Sequence, residues 1–190
     1  MGIRFDKALD IHPEALAMRA QRTKIQARTR AASPTAGAAF AEAARGNLGQ
    51  GLGLLYDALQ DEPMSHDLLS DMAALLLAAG KLEHAAGYAQ RALQAHSLHG
   101  PSLYTLAFAL SGLGETDRAI EDFDHVVLLN PKDAMAFNNR GLAYRNKGET
   151  DAAITNYDQA ISTQPDFALA FYNRGNANYD KRDYDRAIKD

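Results

Sequence analysis

The sequence contains no cysteine, which excludes disulfides, thiolate metal sites and a cysteine nucleophile. Valine and isoleucine are sparse beside leucine and alanine, and this composition favours helices over sheets. The longest apolar run, Met72–Ala79, has eight residues, whereas a membrane-spanning helix needs about 20. The first ten residues lack the apolar stretch of a secretory signal. We therefore expect a helical cytoplasmic protein without a transmembrane segment.

The charge is distributed unevenly along the chain. The net charge of −4 divides into +4 for residues 1–31 and −8 for residues 32–190. An acidic body does not suit nucleic acid, whose phosphates require a basic surface. Three interpretations of the basic arm stay open. It is a solvated, partly helical leader, or it docks onto the acidic body, or it binds an anionic membrane surface or nucleic acid.

Glycine, alanine and proline recur with a period of 34 residues. The repeated positions are Gly46, Gly80, Gly114 and Gly148, then Ala85, Ala119, Ala153 and Ala187, and also Pro131 and Pro165. Because glycine and proline end helices, each period is predicted to contain two antiparallel helices. The predicted units are 32–65, which is degenerate, 66–99, 100–133, 134–167 and 168–190, which is truncated.

The fourth unit shows the predicted helix pair most clearly. Its first helix is expected from about Phe137 to Lys147 and its second from about Thr150 to Thr163, ahead of Pro165. Small residues at Gly141, Ala153 and Ala160 would let the two helices approach closely. One such pair cannot bury its apolar face alone, so neighbouring pairs must stack. The fold class is therefore all-α, an α-solenoid.

In length and in its pattern of aromatic, small, glycine and proline positions, the stretch 32–190 resembles the tetratricopeptide-repeat (TPR) family. The resemblance implies a right-handed superhelix of helix pairs. There are departures from the family pattern: Ser97 replaces a proline and Arg182 replaces a glycine. In unit 32–65, three glycines fall inside the second helix, and each costs about 1 kcal/mol relative to alanine. We expect this unit to be the least stable.

The resemblance also implies that the first helix of each unit lines a concave groove. Such a groove binds an extended peptide or a helix of a partner protein. The residues of this chain at groove positions mix aromatic and amide side chains, which suit contact surfaces. The predicted peptide-binding residues are Tyr104, Thr105, Phe108, Asn138, Asn139, Leu142, Arg145, Tyr172, Asn173, Asn176 and Tyr179.

Two asparagines, Asn139 and Asn173, lie one repeat apart at the same groove position. They are faintly similar to the asparagine ladder in the TPR region of O-linked N-acetylglucosamine transferases. The alternative is that these amides cap or bridge neighbouring helices. Arg145 is the one candidate for a groove cation. The stems of Arg140 and Arg174 are expected to pack between repeats with their charges outward.

Catalytic patterns are absent beyond weak resemblances. The glycines of Gly46–Gly53 lack the preceding strand of a dinucleotide-binding loop. His96 and His99 are too few ligands for zinc, and neither His66 nor His84 is expected to join them. Asp122 and Asp124 are expected to be solvated. We therefore expect neither an enzyme nor a bound cofactor or metal.

Partial repeats stand at both ends of the sequence. Residues 5–13 resemble the last third of a repeat, and the fifth unit stops before its second helix is complete. The simplest expectation is a fragment of a longer repeat protein. A second hypothesis is head-to-tail self-association, which a concentration-independent monomer mass would refute. The predicted function is a protein–protein interaction scaffold. The alternative is the substrate-recruiting TPR region of a larger enzyme such as a glycosyltransferase.

Overall fold

The structure is a computed structural model that describes residues 34–190. The predicted basic arm, 1–31, and its partial repeat, 5–13, lie outside the described residues. Between 34 and 190 the chain forms ten helices and no strand. The helices are α1 (Pro34–Ala44), α2 (Leu48–Asp61), α3 (His66–Ala78), α4 (Leu82–Ala95), α5 (Gly100–Gly112), α6 (Thr116–Leu129), α7 (Ala134–Lys147), α8 (Thr150–Thr163), α9 (Ala168–Asp180) and α10 (Tyr184–Lys189). This architecture confirms the predicted all-α solenoid of helix pairs.

The helices group into two compact units, the first ending at Thr105 and the second running from Leu106 to Asp190. In the first unit, α1 packs on α2 and α3 on α4, with α2 also against α3. In the second unit, α7 packs on α8 and α9 on α10, and α8 contacts α9. In both units, neighbours in sequence are therefore neighbours in space.

The turn inside each pair has one repeated geometry. Gly46, Gly80, Gly114 and Gly148 all have a positive φ between 68° and 92°. At Gly148, the backbone N–H donates to the carbonyl of Arg145, and the next N–H reaches back to Tyr144. This is a Schellman ending, which a left-handed glycine completes without strain. Arg182, where the glycine is replaced, still adopts a φ of 64°.

Close approach of paired helices depends on small residues. A Cβ atom at Gly141 would lie 2.7 Å from the ring of Tyr157, which is fully buried on α8. At Gly51, a Cβ would lie 2.5 Å from the carbonyl oxygen of Ala39 on α1. Gly51 therefore does more than weaken α2, as the sequence suggested, because its missing side chain lets α1 and α2 touch.

The helix bounds of the fourth unit test the sequence prediction directly. The second helix is confirmed at Thr150–Thr163, between its glycine turn and Pro165. The first helix begins earlier than predicted, at Ala134 instead of Phe137. The reason is Asp133, whose carboxylate accepts a hydrogen bond from the backbone N–H of Ala136 at 3.0 Å. This N-cap satisfies a donor that the helix start leaves unpaired.

Candidate functional site

The predicted groove residues of the first unit lie on α5. Tyr104 is half-buried, whereas Thr105 is fully buried. The Thr105 hydroxyl donates to the carbonyl of Pro101 at 2.9 Å, one turn back along the same helix. The Thr105 side chain therefore lies in the protein interior, and Tyr104 is the more accessible of the two.

The predicted amides of the second unit form a buried chain of hydrogen bonds. Asn138, Asn139 and Asn173 expose 1%, 6% and 7% of their surface. Asn173 Nδ2 donates to Asn138 Oδ1 at 2.9 Å, which joins α9 to α7. Asn138 Nδ2 then donates to Asn139 Oδ1 at 3.3 Å. This geometry is that of the alternative interpretation, in which the amides bridge neighbouring helices.

An exposed stripe follows one face of α9. Tyr172 and Tyr179 are 66% and 62% exposed, and Asn176 lies half-buried between them. Spacings of four and three residues place all three side chains on one face of a helix. They line an open cleft of about 580 Å³ together with Tyr184 and Ile188 of α10. Sequence reasoning missed Tyr184 and Ile188, because the packing of α9 against α10 decides which side chains lie beside them.

The candidate groove cation is already paired. Arg145 Nε donates to Asp180 Oδ2 at 2.6 Å, from α7 to the end of α9. The hydrogen bond that Arg145 donates to this carboxylate raises the pKa of the guanidinium. Leu142, one turn earlier on α7, and Phe108 of α5 are half-buried. The predicted residues of the second unit therefore present aromatic and apolar groups, and no unpaired positive charge.

Arg140 and Arg174 occupy the same position in successive repeats and bridge helices in the same way. Arg140 Nη1 donates to Asp124 of α6 at 2.7 Å, and Nε donates to Asn156 of α8 at 2.7 Å. Arg174 contacts Asp158 of α8 and the carboxylate of Asp190, at 2.6 Å and 2.9 Å. Each guanidinium also lies over a phenylalanine of its own helix. This bridging geometry is the one expected for packing between repeats.

A second row of ion pairs lies about two helical turns after these arginines and was not predicted. Lys147 Nζ lies 3.0 Å from Asp117 Oδ1 of α6. Lys181, one repeat later, pairs with Asp151 of α8 in the same way. Each lysine reaches from the end of one helix to the start of a helix in the preceding repeat. These contacts tie neighbouring repeats of the second unit to each other.

Two sequence expectations about polar clusters are wrong. His66 does join His96 and His99: the three ring centroids are separated by 5.1, 4.9 and 5.8 Å. The start of α3 meets the end of α4 because the helices of one pair are antiparallel. Among residues 34–190, no three His, Asp or Glu side chains surround a position that could hold a metal ion.

The acidic pair of α6 is the second correction. Asp124 is exposed and paired with Arg140, as a solvated side chain can be. Asp122 is half-buried, and loss of solvent raises the pKa of its carboxyl to about 6. Asp122 occupies the repeat position of Asn156 and Asp190, which both accept from an arginine of their own unit. Unit 100–133 has Leu106 at the arginine position, so this carboxylate lacks the equivalent cation.

Comparison with known proteins agrees with this geometry. The helix pairs and glycine turns define a helical-repeat protein. Residues 104–155 match a profile described as tetratricopeptide repeat, and residues 141–181 match one described as TPR repeat. Residues 104–181 therefore belong to the tetratricopeptide-repeat family, and such repeats serve as protein-interaction scaffolds. No sequence among the curated proteins matches it.

Solved structures share the fold at low sequence identity. MamA residues 41 to the end from Desulfovibrio magneticus RS-1 is 21% identical, with a TM-score of 0.75, over 84% of this chain and 92% of that one. YrrB, described as a TPR protein with an unusual peptide-binding site, is 23% identical with a TM-score of 0.68, over 88% and 87%. PilF of Pseudomonas aeruginosa is 18% identical with a TM-score of 0.73, over 82% and 71%. None of the helices described between 34 and 190 is long and apolar enough to span a membrane.

Proposed function

We propose that the exposed face of α9, together with Leu142 of α7, binds an extended peptide or a helix of a partner protein. The observation that carries this proposal is the exposure of Tyr172 and Tyr179, at 66% and 62%, on one face beside an open cleft. Tyrosine contributes a large apolar body and a polar tip, so it is enriched at protein interfaces. The peptide-binding site named for YrrB is consistent with this use of the fold.

The buried amides have a different part in this proposal. Asn138, Asn139 and Asn173 hold α7 and α9 together, so they position the tyrosine face and do not contact the peptide. Asn176 is the accessible amide of the face, and it offers a donor and an acceptor to a peptide backbone. The alternative function, recruitment of substrates to a larger enzyme, would use the same face. A catalytic domain in the parent reading frame would distinguish the two.

The experiment selects peptides from a displayed random library and measures their affinity by fluorescence anisotropy. The double substitution Tyr172→Ala/Tyr179→Ala should weaken binding at least tenfold, because central aromatic contacts carry most of the affinity of an interface. Tyr56→Ala is the matched control, since Tyr56 is also 55% exposed but lies on α2. Affinity that is equal in the parent chain and the double variant would refute the proposal. So would a loss that the control reproduces.

A further inference from the structure

The second helix of the fifth repeat is shorter than its counterpart in the fourth repeat. α10 contains six residues, Tyr184–Lys189, whereas α8 contains fourteen, Thr150–Thr163. Two apolar side chains of α10 are open to solvent: Ile188 is 84% exposed and Tyr184 is 51% exposed. Terminal repeats of solenoids usually present a polar outer face, and exposed apolar patches mark interaction sites. The apolar surface of α10 is therefore suited to cover by a partner.

The fourth repeat shows which side chain occupies the equivalent place. A Cβ atom at Gly141 would lie 2.7 Å from the ring of Tyr157 and 3.1 Å from the carbonyl oxygen of Ala153. A Cβ atom at Gly175, one repeat later, would lie 3.4 Å from the carbonyl oxygen of Ala187, the counterpart of Ala153. α10 therefore packs on α9 as α8 packs on α7. In the part of the chain that the structure describes, however, no ring atom would come within 4 Å of the Cβ at Gly175.

The open cleft beside the exposed tyrosines includes the place of the missing ring. Gly175 and Ala187 both line this cleft, together with Ile188. In the fourth repeat, Ile154 holds the position of Ile188 and packs against the buried cluster that contains Tyr157. An aromatic side chain placed like Tyr157 would therefore fill part of the cleft and cover Ile188.

The chain contains a sequence that matches the missing half of this helix. Residues 5–13, FDKALDIHP, lie outside the described residues, and their match is one of sequence. Asp190 holds the repeat position of Asn156, and the segment matches the positions that follow it. The match pairs Phe5 with Tyr157, Ala8 with Ala160, Leu9 with Ile161 and Pro13 with Pro165. Spacings of three and four residues place the first three apolar side chains on one face of a helix.

We propose that residues 5–13 of a second copy of this chain bind the cleft of α9 and α10, with Phe5 against Gly175 as Tyr157 lies against Gly141. This assignment rests on the proposed peptide-binding function of the α9 face, and it identifies the partner. In a solenoid each repeat contacts its neighbours in sequence. The segment precedes the first repeat and the cleft belongs to the fifth, so a second copy supplies the segment. Such a contact joins two different surfaces, and it can add one copy after another.

The distribution of charge favours the same contact. Residues 1–31 have a net charge of +4, and residues 32–190 have a net charge of −8. Surfaces of opposite charge attract each other and speed the encounter of two proteins. The basic arm of one copy is therefore drawn to the acidic body of another, which carries the cleft.

The first experiment measures the mass of the full 190-residue chain by sedimentation velocity over a range of concentrations. The mass should rise with concentration. Phe5→Ala and Ile188→Ser should each weaken association at least tenfold, because buried apolar anchors carry most of the affinity of an interface. Ile25→Ala is the matched control, since it removes an apolar residue of the same arm outside the segment, and it should leave association unchanged. Circular dichroism confirms that each variant folds.

The second experiment separates the segment from the rest of the arm. A fluorescent peptide of residues 1–16 is titrated with the Phe5→Ala chain, whose own segment no longer competes for the cleft. Saturable binding is expected, and the same peptide carrying Phe5→Ala should bind at least tenfold more weakly. The unlabelled peptide should also lower the mass of the parent chain.

Three results would overturn the proposal. They are a monomer mass at every concentration, equal weakening by Phe5→Ala and Ile25→Ala, and equal binding of the two peptides. If selected library peptides still lose affinity for the tyrosine double variant, the peptide-binding function stands and the identity of the partner is wrong. Failure of the proposed function has a different signature, which is selected peptides that bind the parent chain and the tyrosine double variant equally.

Discussion

Substitution of Gly141 by alanine should destabilise the second unit, although alanine favours helices. The added Cβ would lie 2.7 and 2.9 Å from two ring carbons of Tyr157 and 3.1 Å from the carbonyl oxygen of Ala153. The ring of Tyr157 is fully buried, so it cannot move aside without opening the core. Overpacking of this kind costs about 1–3 kcal/mol, and the helix preference of alanine offsets about 1 kcal/mol. We expect a net loss of up to about 2 kcal/mol.

The same substitution at another helical glycine should have the opposite sign. At Gly87 of α4, an added Cβ would meet no atom within 4 Å, so Gly87→Ala should stabilise by up to about 1 kcal/mol. Gly175→Ala should fall between the two, since its nearest contacts would be 3.3 and 3.4 Å. Urea unfolding followed by far-ultraviolet circular dichroism measures all three. A Gly141→Ala midpoint at or above that of the parent chain would refute the reasoning.

Three further substitutions test local features. Arg182→Gly should stabilise by about 0.5–1 kcal/mol in urea unfolding, because glycine adopts the φ of 64° without strain; a lower midpoint would contradict this. Tyr157→Phe should leave the free energy of unfolding within about 1 kcal/mol of the parent or raise it, since the buried hydroxyl has no hydrogen-bond partner among residues 34–190. Asp122→Asn should raise the melting temperature at pH 7.5 and not at pH 4. The pKa of Asp122 is raised to about 6, so between pH 4 and 6 the folded state binds more protons than the unfolded state, and the stability of the parent chain falls as the pH rises through that range. An equal change in melting temperature at both pH values would refute this.

Much of the fold could be predicted because the signals are local. A glycine at a left-handed turn and a proline after a helix act within a few residues, so the ends of α8 follow from the sequence alone. The 34-residue period then extends the same result to every unit. Arg182 keeps the left-handed turn although it is not a glycine.

The polar contacts could not be predicted with the same success, because they join residues a whole repeat apart. Asn173 bonds Asn138 and not its counterpart Asn139, a choice that depends on the distance between α7 and α9. Arg145 looked like a groove cation, yet Asp180, 35 residues away, pairs with it. His66 was separated from His96 and His99 in sequence, but the antiparallel pair brings them together. The repeat in the sequence predicts which residues occupy equivalent helix positions, whereas these contacts depend on the distances between helices.

The two sides of helix α9 have different roles. Arg174 and Lys181 follow Tyr172 and Tyr179 by two residues in each case, a rotation of about 200° around a helix. The basic pair is tied to carboxylates of the preceding repeat, whereas the tyrosines are exposed beside the cleft. On α7 the residues equivalent to the tyrosines are Asn138, which is buried, and Arg145, which is paired. The partner-binding face that we propose is therefore concentrated on the side of α9 that carries the exposed tyrosines, whereas the ion pairs on the other side join this repeat to the preceding one.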